Sequence, residues 1–157
     1  MERAAETGDR QELDPARAFA ARALIEAGRP DDARQLLAAL LVDHGGKPRF
    51  PETAVDLPIA LAALHGDDAV ALLDRAGFAP TRWEEAVRCW VTGDRVGAAG
   101  IYTRIGSRPD EAAARTQAGR DLLAVGRTRE ARAQLDAALA FWREVGATGM
   151  VRAIERL

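Results

Sequence analysis

The stretch AVGRTREARAQLDAALAFWREVGAT, Ala124–Thr148, carries one long helical pattern held between Gly126 and Gly146. Ala131, Leu135, Ala138 and Trp142 recur at spacings of four, three and four, the inward stripe of an amphipathic helix. Arg132, Asp136 and Arg143 fall on the opposite side. The two glycines mark helix ends, because glycine accepts the left-handed backbone that closes a helix.

The pattern is echoed upstream. GRPDDARQLLAALL from Gly28 overlays GRTREARAQLDAAL from Gly126, with Gly28, Ala33, Leu37 and Leu41 facing Gly126, Ala131, Leu135 and Leu139. Gly66 and Gly93 punctuate the middle of the chain in the same way. Asp67 and Asp94 are the candidate N-caps there, and Pro30 with Asp31 and Asp32 suits a first helical turn. Alanine, leucine, arginine and glutamate all favour helix, and no alternation of β-branched residues runs the length of a strand.

These features predict an all-α chain with helices over 14–27, 30–43, 54–65, 67–77, 82–92, 94–105, 109–125, 128–145 and 148–156. Residues 1–13 read as a polar N-terminal segment, and 14–157 as one domain of about four antiparallel helix pairs. Helix pairs repeated at such periods each leave an apolar face for the next pair to cover. TGMVRAIERL after Gly146 places Met150, Ile154 and Leu157 on one stripe, a terminal helix that covers the end of the stack. HGGKPRFPET, His44–Thr53, holds two glycines and two prolines and is predicted to be a loop, either a repeat-to-repeat insertion or a functional one.

A chain of 157 residues buries a core without disulfides or metals. Its net charge of −2 gives no electrostatic footprint for nucleic acid. Cys89 is the sole cysteine, which excludes a disulfide within the chain and a thiolate metal cluster. No apolar run reaches the length of a membrane span, and MERAAETGDRQEL lacks a signal-peptide core, so a cytoplasmic protein is expected. His44 and His65 sit at helix ends without a ligand pattern, Asp31/Asp32 and Asp67/Asp68 at helix starts, and Ser107 lies in the turn GSRPDE, where no nucleophile–base pair can be argued. No catalytic residue, metal ligand or cofactor site is expected.

The small residues Gly119, Gly126, Ala131 and Ala138, with Leu135 between them, resemble the tetratricopeptide repeat. The likeness covers about 112–145 well and 14–43 less fully, and departs at Arg17 and Arg115, where a large aromatic is usual. It implies stacked antiparallel helix pairs, a TPR-like α-α superhelix, whose concave face holds peptides or protein segments. Residues 82–157 are also similar to the C-terminal repeat tails of large actinobacterial signalling proteins, the multidomain ATPase regulators and nucleotide cyclases. That resemblance implies a regulatory module fused to, or associated with, an ATPase or cyclase. No phosphate-binding loop is present, and Lys47 lacks the surroundings of one.

Five residues stand out for binding. Trp83, Val87 and Trp90 recur at four and three on one helix face, either filling the core beside the thin GAAG helix or serving as groove anchors. Arg22 and Arg120 fall at equivalent groove-side positions in the overlay, either clamping an acidic peptide or carboxylate or lying in plain solvent. The expected function is a non-enzymatic protein- or peptide-interaction scaffold. The alternatives are a small-signal-molecule receptor with a pocket between repeats and a self-association module.

Overall fold

The computed structural model describes residues 10–41 and 56–157; the expected loop at 44–53, with His44 and Lys47, lies outside them. The described chain is helical throughout, and among the described residues there is no β-strand. Contacts gather the chain into two units, Met1–Thr92 and Gly93–Leu157.

The first unit holds α1 (Arg10–Glu26), α2 (Pro30–Leu41), α3 (Asp56–His65), a 3-10 turn (Gly66–Asp68), α4 (Ala69–Ala76) and α5 (Arg82–Val91). Helix α1 begins at Arg10, inside the segment expected to precede it. Pro15 lies inside α1, at its sixth residue, where a proline removes one backbone hydrogen bond of the helix and its ring crowds the preceding turn. Helix α2 opens as expected on Pro30, with Asp31 and Asp32 in its first turn. The expected cap at Asp67 is corrected by the 3-10 turn, after which Asp68 takes the N-cap position of α4 without a side-chain cap bond.

Ala33, Leu37 and Leu40 of α2 meet Ala18 and Ala21 of α1 in a core completed by Leu57, Ala60 and Leu61 of α3, Leu73 of α4 and Val87 of α5. Each leucine closed off there contributes about 1.5–3 kcal/mol. Helix α3 is apolar nearly all round, and correspondingly it packs against α1, α4 and α5. Helices α1, α3 and α5 thus follow one another side by side, with α2 against α1 and α4 against α3 and α5.

The second unit is a sequential meander of α6 (Arg95–Ile105), α7 (Arg108–Ala124), α8 (Thr128–Glu144) and α9 (Thr148–Glu155), each packed on the next. The stripe of Ala131, Leu135 and Ala138 is buried, with Trp142 half-buried beside it, and Arg132, Asp136 and Arg143 are exposed. Helices α7 and α8 pack tightly at Gly119, where an added Cβ would stand 2.5 Å from Leu135 Cγ and Cδ2. Trp142 Nε1–H donates to Thr116 Oγ1 at 3.2 Å, and that buried hydroxyl donates to the Ala112 carbonyl at 2.8 Å. Helix α9 seats Ile154 and Val151 against Leu135, Ala138 and Leu139. Leu157 does not join this stripe: the helix stops at Glu155 and Leu157 is 54% exposed.

One helix ending recurs. At Gly28 (φ 73°) and Gly126 (φ 76°) the glycine N–H bonds back to Ile25 and Leu123, and the next N–H to Leu24 and Leu122. This paired closure needs the left-handed conformation that costs a side-chain-bearing residue about 1–2 kcal/mol. Gly106 and Gly146 close α6 and α8 by the same two bonds.

Candidate functional site

Arg22 follows the buried Ala18 and Ala21 on α1, and its guanidinium reaches the start of α3. Nη1 donates to Asp56 Oδ1 at 3.0 Å and Nε to Glu26 Oε1 at 3.1 Å. Burial alone would lower the pKa of Arg22, but the hydrogen bonds to Asp56 and then Glu26 outweigh it and raise the value. The charge offered for clamping an acidic ligand is thus already answered by two carboxylates. Three residues earlier on α1, Phe19 is 63% exposed, a large apolar side chain turned away from the core that Ala18 and Ala21 enter.

Helix α5 opens on a side-chain cap: Thr81 Oγ1 accepts from the Glu84 N–H at 3.2 Å. The helix carries all three of the residues singled out at its repeat. Val87 belongs to the core of the first unit, Trp90 is 2% exposed, and Trp83 is half-buried. A side chain closed to that degree leaves a ligand no area to touch, so of the two tryptophans only Trp83 presents surface. Arg88 on the same helix is tied to Asp74 at 2.7 Å and to Glu84.

Arg120 lies on α7 in the other unit, exposed and without a hydrogen bond or ion pair among the described residues. Its neighbour Asp121 pairs with Arg95 of α6 at 3.0 Å and accepts from Gln117 at 2.9 Å. The structure therefore groups Trp83, Val87 and Trp90 on one helix, and gives Arg22 and Arg120 separate settings in separate units.

The second unit carries several hollows open to solvent. Two of them, about 270 and 360 Å³, share Asp94, Val96, Leu122 and Arg127 where α6 and α8 begin and α7 ends. Val125, 69% exposed, rims the smaller one. A third, about 500 Å³, lies between Trp142, Arg143 and Gly146 and the Thr148, Val151 and Arg152 side of α9. At the same end of the α7–α8 hairpin, Arg108 grips Glu144 through both guanidinium nitrogens and sits 5.2 Å above the Phe141 ring.

Reactive side chains are in settled surroundings. Among the described residues no group of three or more His, Cys, Asp or Glu gathers for a metal. Burial, then the charge of Arg34, lowers the His65 pKa against the opposing pull of Asp68. Asp31 and Asp32 accept from Arg34 and Arg29. The Ser107 hydroxyl donates to the buried Asp110 carboxylate at the start of α7. No helix among the described residues is long and apolar enough to cross a membrane.

Two features escaped the sequence. Asp56 is Arg22's partner across 34 positions, a pairing that no local spacing encodes. Phe19 carried a usable signal, since it stands off the stripe that Ala18, Ala21 and Leu24 define. No protein-family model matches the chain, and neither a curated protein nor a solved structure matches it.

Proposed function

We propose that the chain is a non-enzymatic interaction scaffold, a TPR-like array of helix pairs that holds a protein or peptide partner. The observation that supports it is the side-by-side order of α1, α3 and α5 with α2 and α4 each against their own partner helices. Such an order presents the first helix of each pair along one face, and Phe19 stands exposed on the leading helix of that row. An isolated exposed aromatic on a rigid helix is the kind of anchor that dominates protein interfaces. In this reading the protein is a cytoplasmic regulatory module of a bacterial signalling or transcription-regulating protein, joined to or associated with an ATPase or cyclase.

A small-signal receptor is the second reading. It draws on the hollow of about 500 Å³ beside Trp142, within the size range of ligand sites.

Titration of a peptide library against the full chain separates the two. The scaffold reading expects saturable binding of at least one peptide class, weakened by Phe19→Ser with no change in thermal midpoint. A midpoint raised by small molecules alone, with no peptide bound at any concentration, would refute it and favour the receptor.

A further inference from the structure

Residues 93–157 carry eleven arginines, no lysine or histidine and eight carboxylates, a side-chain charge of +3; residues 1–92 carry eleven basic and sixteen acidic side chains, −5. The near-neutral total conceals this division. Folding sharpens the excess in the second unit. Asp94 is held by the Gly97 N–H and Asp110 by the Ser107 hydroxyl, and every other acid there except Asp136 is held by an arginine. Among the described residues, Arg104, Arg120, Arg129, Arg132, Arg152 and Arg156 have no carboxylate within ion-pair distance. The surface therefore presents six unanswered guanidinium groups against one unanswered carboxylate.

Two of these cations stand together on α8. Arg129 and Arg132 share one open surface patch with Thr128, Ala133 and Asp136. The same face continues past Asp136 through Ala137 and Ala140, both exposed, to Arg143 and Glu144, each already held by an opposite charge. Arg129 lies in the first turn of α8, where the helix dipole opposes a cation, and the N-cap Arg127 makes no side-chain cap bond. The helix start thus sets Arg127 and Arg129 against Glu130 alone, beside the exposed Ala133, Ala137 and Ala140. A pair of arginines followed by exposed alanines is complementary to a helix with carboxylates at one end and small or branched apolar side chains along the rest.

We propose that the outer face of α8 docks an acidic amphipathic helix of a partner protein, its carboxylates on Arg129 and Arg132 and its apolar side chains over Ala133, Ala137 and Ala140. The proposal rests on the scaffold reading and moves the contact from Arg22, Trp83 and Trp90 to α8. Guanidinium groups hold carboxylates through paired hydrogen bonds, which gives the docked helix its direction.

The test is fluorescence anisotropy of the full chain with a labelled helical peptide of glutamate, leucine and alanine, and with the same peptide carrying lysine for glutamate. The glutamate peptide should bind and weaken as salt rises. The double variant Arg129→Glu/Arg132→Glu should weaken it about tenfold or more, since each reversal removes an attraction and adds a repulsion. Arg104→Glu, an unpaired arginine on α6, should leave affinity within about twofold. Because these side chains are exposed and an acid in the first turn of α8 suits the helix dipole, the melting midpoint of the double variant should not fall below that of wild type. Equal losses from Arg104→Glu and the double variant would overturn the proposal, as would a lysine peptide that binds as well. So would an oligonucleotide that displaces the peptide from these arginines at lower concentration, or association of the chain with itself that the double variant abolishes. A glutamate peptide that binds regardless of the α8 variants removes this docking face and leaves the scaffold reading standing; if neither peptide nor any library member binds, the scaffold reading falls with it.

Discussion

Alanine in place of glycine should have opposite effects at two helical positions of the second unit. At Gly100 of α6 a new Cβ meets only Arg104 Nη1, at 3.7 Å. The substitution then yields the helix-propensity difference, a stabilisation of about 0.8–1.0 kcal/mol. At Gly119 of α7 the same atom lies 2.5 Å from Leu135 Cγ and Cδ2 and 3.3 Å from the Ala131 carbonyl. Carbon atoms settle at about 3.5–4.0 Å, so about 1 Å must be found. It cannot come from the tip of a flexible chain, because the clashing Cγ is the branch point of a buried leucine. Overpacking of this kind costs about 1–3 kcal/mol. Set against the propensity gain of about 1 kcal/mol, Gly119→Ala should destabilise by up to about 2 kcal/mol.

The measurement is the urea midpoint of each variant, compared at unchanged m. Adding Leu135→Ala should make Gly119→Ala stabilising by about 1 kcal/mol, since only the propensity difference would remain. The reasoning is refuted if Gly119→Ala stabilises as much as Gly100→Ala, or if the Gly119 and Leu135 substitutions simply add.

Three further perturbations follow from the helix ends. Asp94→Ala removes the carboxylate that accepts from the Gly97 N–H at 2.8 Å and should cost about 1 kcal/mol in urea denaturation; Asp94→Asn should recover most of it. Gly126→Ala forces a Cβ into a backbone with φ 76° and should cost about 1–2 kcal/mol, although nothing lies within 4 Å of the added atom; no loss would mean that the turn relaxes to another closure. His65 has a folded pKa below its unfolded value, so the unfolded chain takes up the proton first. Its effect is nil above about pH 6.5 and destabilising as pH falls below that. Wild type should therefore lose stability relative to His65→Gln on acidification, and a relative gain would contradict the assigned direction.

The parts of the fold legible in the sequence are those that depend on local geometry. The stripe of Ala131, Leu135 and Ala138 follows from the helical period, and the ends at Gly28 and Gly126 from a backbone requirement that one residue type meets cheaply. Misplaced features had competing local signals. Asp67 looks like a cap yet falls in a 3-10 turn. Leu157 has the right spacing from Ile154 but lies past the end of its helix. For the candidate site the obstacle was pairing at a distance. Arg22 and Arg120 occupy equivalent positions in sequence, and only the fold gives one of them Asp56 and leaves the other without a carboxylate. The surplus of cations on α8 was hidden for the same reason, because it appears only after each acid has been assigned its arginine.

The meander of α6 to α9, in which every helix packs on its neighbour in sequence, also sets how this half of the chain assembles and comes apart. Contacts between sequence neighbours close short loops, so little chain entropy is lost before they form and folding is fast. The α7–α8 hairpin, locked at Gly119 and joined by a three-residue turn, is the natural nucleus. Helix α9 can be added only after α8, since the surface it rests on does not exist until α8 is in place. It should also leave first: hydrogen exchange would find its amides opening well below the global unfolding free energy, while those around Leu135 exchange only when the whole unit unfolds.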